Sequence, residues 1–126
     1  MNHKIQCLIT SVDEFKDPKL FQKGLALLPD FGSWKERKES ISRLRRQESR
    51  LESLVAGLML RTLLLENSLP LEALSVSEKG KPFLKNHDFH FNLSHSNGYV
   101  CLLYTSLGLC HIQGTSSWCR FRQAGL

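Results

Sequence analysis

The chain has 126 residues, of which 41% are hydrophobic and 23% charged, with a formal net charge of +5. This is enough for one domain with a modest core, and the composition excludes a wholly disordered chain. Met1-Asn2-His3-Lys4 precedes only a short apolar run, Ile5 to Ile9, too brief for a signal peptide, and no segment is long enough to span a bilayer. A cytoplasmic protein without a membrane partner is therefore expected.

Lys4 to Val12 is predicted as an opening strand with Ile5, Cys7 and Ile9 on one face. Asp13 to Asp30 mixes charged and apolar residues around Pro18 and Pro29 and is expected to hold a short helix. Ser33-Trp34-Lys35-Glu36 has capping-box spacing, which places a helix start there. Beyond it Ile41, Leu44, Leu51, Leu54, Val55, Leu58 and Leu65 recur at helical intervals. One long helix or two successive ones fill Trp34 to Leu65 and end before Asn67 and Pro70. Arg43, Arg46 and Arg50, spaced three and four apart, are expected to share one exposed face.

The charge is concentrated in this region. Lys35, Arg37, Lys38, Arg43, Arg45, Arg46 and Arg50 stand against Glu36, Glu39 and Glu48. Such a surface suits an anionic partner, nucleic acid included. For any single residue of the run, a solvated helix face is the plainer reading. Cys7, Cys101, Cys110 and Cys119 are widely spaced with no Cys-x-x-Cys pair, so they are read as reduced and structural rather than as zinc ligands.

Leu71 to Ser77 is a strand or turn leading into Gly80-Lys81-Pro82. After it, Phe89, Phe91 and Leu93 alternate with His90, Asn92 and Ser94, the period of a strand with one apolar and one polar face. With Asn97-Gly98 suited to a primed turn, Phe89 to Ser94 and Tyr99 to Tyr104 are predicted to form a hairpin. Ser94 and His95 then sit at a strand end, a favourable place to present polar groups to a ligand. Gly80 lets the backbone bend, Lys81 supplies a cation and Pro82 fixes the exit direction. Lysine, serine and histidine could converge on a phosphate. Beyond Ser106 the character changes, and Gly114 to Leu126 shows no clean period.

Gly80-Lys81-Pro82 followed by Phe91-Asn92-Leu93-Ser94-His95-Ser96 resembles the central signature of the Sfp-type 4′-phosphopantetheinyl transferases. Those enzymes move the phosphopantetheine arm of coenzyme A onto a serine of an acyl or peptidyl carrier protein. The resemblance covers residues 1–106, implies an N-terminal lobe of that type, and leaves 107–126 as a divergent tail. It implies an α+β fold, a small mostly antiparallel sheet packed on helices, as one half of a pseudo-twofold, two-lobed transferase. It also implies that Lys81, Pro82, Ser94 and His95, with Arg37 as a further basic contact, hold the phosphates of coenzyme A. Taken singly, Ser94 reads as a turn serine bonding backbone and His95 as a partly exposed turn residue; together in the motif they read as ligands. Leu54 to Leu60 resembles the family's small-residue apolar helix behind the coenzyme.

The chain departs from the family pattern in three places. Glu52 stands where relatives have a basic residue for the coenzyme's 3′-phosphate, and Arg50 lies about 200° away around a helix. The family's magnesium-binding Gly-[Val/Ile/Cys]-Asp-x-Glu segment has its nearest counterpart in Leu109-Cys110-His111-Ile112-Gln113, whose histidine and glutamine are poor magnesium ligands. The later Trp-x-x-Lys-Glu-[Ala/Ser] segment, which brings the glutamate base and a lysine, has no counterpart. The expected reading is a family member that is truncated and inactive alone, with magnesium expected from the family and its ligands unmatched. The alternative is a non-catalytic fragment that binds coenzyme A or a carrier protein. A basic nucleic-acid-binding module ranks third, because the strand carrying His90 and Asn92 lacks the aromatic stripe of an RNA-recognition sheet.

Overall fold

The structure is a computed structural model and describes residues 4–87 and 89–106. Strand β1 spans Lys4–Ser11 and runs through a 3-10 turn, Asp13–Lys16, into helix α1, Pro18–Leu27. Asp17 caps α1 by accepting from the Lys19 amide at 2.9 Å, with Pro18 in the first helical position where it loses no hydrogen bond. Two further helices follow, α2 at Gly32–Arg43 and α3 at Gln47–Glu66. The helical stretch is thus two helices, parted at Leu44 and Arg46, whose backbones are extended. Neither glycine nor proline marks that break. Ser68 at φ +56° ends α3, and the Leu69 amide returns to the Leu64 carbonyl at 2.8 Å.

The capping-box expectation is corrected. Phe31 caps α2 with no side-chain bond, and Ser33 lies inside the helix. Its hydroxyl instead donates to the Leu74 carbonyl at 3.0 Å, and Trp34 Nε1 donates to the Leu71 carbonyl at 2.9 Å. The polar groups that suggest a local cap thus tether α2 to the segment Leu71–Val76, a tertiary use of the same donors. The shared arginine face is corrected as well. Arg43 ends α2, Arg46 caps α3, and half-buried Arg50 donates to the Leu44 carbonyl at 3.4 Å, so the three lie on no common helix.

A 3-10 turn, Leu71–Ala73, leads to the short hairpin of β2, Leu74–Val76, and β3, Pro82–Leu84. A second hairpin joins β4, Phe91–Ser96, to β5, Tyr99–Ser106. Asn97 at φ +53° and Gly98 at φ +80° make the primed turn that the Asn-Gly pair predicts. The sheet order is β1-β5-β4, antiparallel throughout. The fold is α+β.

α3 is the centre of the core. Leu54, Val55, Met59, Leu60, Leu63 and Leu64 are almost fully buried, each contributing about 1.5–3 kcal/mol of hydrophobic free energy. Helices α1 and α2 and strand β5 all pack on α3. Leu8, Val100, Leu102, Tyr104 and Phe91 supply the buried face of the sheet. Strand alternation puts Ile5, Cys7, Ile9, Cys101 and Leu103 on the opposite face, where Ile5 is 77% exposed. Among the described residues no helix is long and apolar enough to cross a membrane.

Candidate functional site

The loop Ser77–Lys81 is set by its own hydrogen bonds. The Ser77 amide donates to the Lys81 carbonyl at 2.8 Å, the Gly80 amide to the Ser77 carbonyl at 2.9 Å, and the Lys81 amide to Ser77 Oγ at 3.1 Å. Gly80 takes φ +84°, a conformation that a side chain at this position would strain. The loop therefore delivers Gly80 and Pro82 to the wall of a pocket of about 260 Å³, whose other lining residues include Ser33, Glu36, Arg37, Ser53 and Leu74. Lys81, between them, is exposed and does not line it.

Among the described residues Arg37 is the one cation that lines this pocket, and it shares the wall with Glu36. Its guanidinium donates to the Ser53 carbonyl at 3.1 Å and to Ser53 Oγ at 3.2 Å, both neutral acceptors. It makes no ion pair among the described residues. Burial pushes the guanidinium down from its ordinary value, because a half-desolvated cation lacks the water that would stabilise it. An anion entering the pocket would supply the missing countercharge. Gly57 makes the arrangement possible: a Cβ there would stand 2.9 Å from Arg37 Cδ and 3.1 Å from Leu28 Cδ2.

Next to Ser53 on α3 stands Glu52, 5% exposed, whose carboxylate reaches the β4–β5 turn. One oxygen accepts from His95 Nδ1 at 2.7 Å and the other from the Gly98 amide at 3.1 Å. His95 pairs across the sheet with Val100 and shares its helix-facing side. Ser94, one residue earlier and opposite Cys101, stands on the other side of the sheet and is exposed.

The five residues singled out in the sequence are thus distributed unevenly. Arg37 and Pro82 come together in one pocket. His95 is held on the neighbouring side of α3 through Glu52. Lys81 and Ser94 are exposed, and among the described residues no hydrogen bond joins them to His95. Glu52, read from the sequence as a departure from the family, is a buried anchor. A signal was there: Glu52, Val55 and Met59 fall on one helical stripe, so the acid occupies a core position.

Among the described residues no three His, Cys, Asp or Glu side chains gather as a metal site. Leu109 to Gln113, with His111 and Cys110, lies outside the described residues, as do Cys119 and the tail 107–126.

Among curated proteins no relative matches the sequence. A family model described as 4′-phosphopantetheinyl transferase, N-terminal, matches residues 27–106, more than half of the chain, and spans α2, α3, both hairpins, the Arg37 pocket and the Glu52–His95 pair. The chain belongs to the 4′-phosphopantetheinyl transferase family and carries its N-terminal domain.

Proposed function

We propose that this chain binds coenzyme A through its phosphates, as the coenzyme-holding lobe for phosphopantetheine transfer to an acyl or peptidyl carrier protein. The observation that carries this reading is Arg37, a guanidinium with no anionic partner among the described residues, on the wall of a pocket completed by Gly80 and Pro82. A phosphate there replaces water lost to burial with a charge-assisted, two-pronged hydrogen bond. His95, on the other flank of α3, takes a second phosphate oxygen, and exposed Lys81 adds a cation from solvent.

In the transfer itself, a carrier serine oxygen forms a bond to the coenzyme's β-phosphorus while the bond to the nucleotide's phosphate oxygen breaks. The described residues bind and orient the pyrophosphate. A bound magnesium ion would supply charge neutralisation there, and removal of the serine proton falls to groups outside the described residues. General acid–base help is commonly worth ~10²–10⁴-fold, so a chain without a base turns over very slowly.

Calorimetric titration of the full chain with coenzyme A tests the binding reading. Saturable binding that Arg37→Ala and His95→Ala each weaken supports it; affinity unchanged in the double variant overturns it. Incubation with a carrier protein, magnesium and coenzyme A, read by mass spectrometry, tests the transfer. No added phosphopantetheine is expected from this chain alone, and robust modification would show that the tail carries the missing chemistry.

A further inference from the structure

A carboxylate withdrawn from water is tolerated only where its oxygens are paired and hydrogen-bonded. Glu52 meets that condition entirely through the β4–β5 turn, with His95 Nδ1 on one oxygen at 2.7 Å and the Gly98 amide on the other at 3.1 Å. The first distance is that of a charge-assisted hydrogen bond. The partners differ in depth: Glu52 is buried, whereas the His95 side chain is 62% exposed. An imidazole carries its two nitrogens on separated ring edges, so anchoring Nδ1 on an inward carboxylate leaves Nε2 as the outward one. With Nδ1–H committed to Glu52, Nε2 is the nitrogen turned outward, and it donates to an anion only in the doubly protonated ring.

We propose that Glu52 is a positioning residue for anion binding, acting through His95: it fixes the ring with Nδ1 inward and presents Nε2–H to a coenzyme phosphate. This rests on the reading that His95 meets that phosphate. A doubly protonated ring in that place would lie between two anions, one built into the protein and one brought by the ligand. The bond to Gly98 extends the effect, since the same acid fixes the turn that carries the histidine and ties both to α3.

The test uses the full chain. Long-range proton–nitrogen spectra of the His95 ring without ligand are expected to show the proton on Nδ1, and Glu52→Gln to lose that signature. Coenzyme A titration of the parent, Glu52→Gln, His95→Ala and the double variant forms a cycle. Glu52→Gln is expected to weaken binding by about tenfold in the parent and to have no further effect beside His95→Ala. An equal loss in both backgrounds would mean a merely structural role and would overturn the proposal. So would an unchanged affinity, or a parent spectrum with Nδ1 unprotonated, which decides the matter even if Glu52→Gln fails to fold. If His95→Ala binds coenzyme A as the parent does, the phosphate reading fails with this proposal; if only Glu52→Gln is silent, that reading stands and this proposal alone falls.

Discussion

Gly57→Ala probes how closely the core and the pocket are linked. The position is helical and buried, so alanine gains about 0.8–1.0 kcal/mol of intrinsic helix preference over glycine. Against this, the new methyl would lie 2.9 Å from Arg37 Cδ and 3.1 Å from Leu28 Cδ2. Overpacking of this kind costs about 1–3 kcal/mol. The two terms nearly offset, and the expected net loss of stability is only about 0–2 kcal/mol. The relief comes from the flexible arginine, which has to swing off Ser53 and out of the pocket. Losing a charge-assisted contact of about 1.5–3 kcal/mol then weakens coenzyme A binding about 10- to 150-fold. Urea denaturation measures the first quantity and calorimetric titration the second. A variant that folds and binds coenzyme A as tightly as the parent would refute the assignment of Arg37 to the ligand.

Trp34→Phe removes the donor to the Leu71 carbonyl and part of a buried ring, and should cost about 2–4 kcal/mol, read as a lower urea midpoint at unchanged slope. Burial, reinforced by Cys101 with its sulfur 3.5 Å away, pushes the Cys7 thiol up. The folded chain therefore keeps a proton that the unfolded chain releases above about pH 8.5, and stability should fall as the pH rises past that point, more steeply in the parent than in Cys7→Ala. Thermal melts across that range check it. Ile5→Lys with Leu103→Lys places charge on the outer sheet face, where both residues are exposed. It should reduce aggregation by light scattering while leaving the melting temperature within a few degrees.

The hairpin was legible because its chemistry is local. Phe89, Phe91 and Leu93 alternate with polar residues, and Asn97-Gly98 dictates a turn of positive φ. Strand β1 was equally legible, but alternation could not say which face packs: Leu8 and Thr10 turned inward and Ile5, Cys7 and Ile9 outward. The break between α2 and α3 carries no glycine or proline, so periodicity ran through it. Ser33 satisfied a cap pattern yet spends its hydroxyl on Leu74, 41 residues away. Glu52 was the largest gap, since its partners at 95 and 98 lie on another element and no spacing rule links them. Arg37 and the Gly80–Pro82 loop were separately visible as types; only the fold of α2 against β2 shows that they share a pocket.

The pairing of β1 with β5 has a temporal consequence. Lys4 meets Ser106 and Ser11 meets Tyr99, so β1 has to wait for β5. At ~5–20 residues per second, that interval is roughly 5–20 s on the ribosome. During it α1, α2 and α3 can form from local contacts, while β1 keeps an open edge without a partner. Glu52 is likewise synthesised long before the histidine and glycine that satisfy it. The nascent chain therefore spends its most vulnerable period with the β5-facing side of β1 unpaired and an acid unpartnered, and both are resolved by the arrival of the same hairpin.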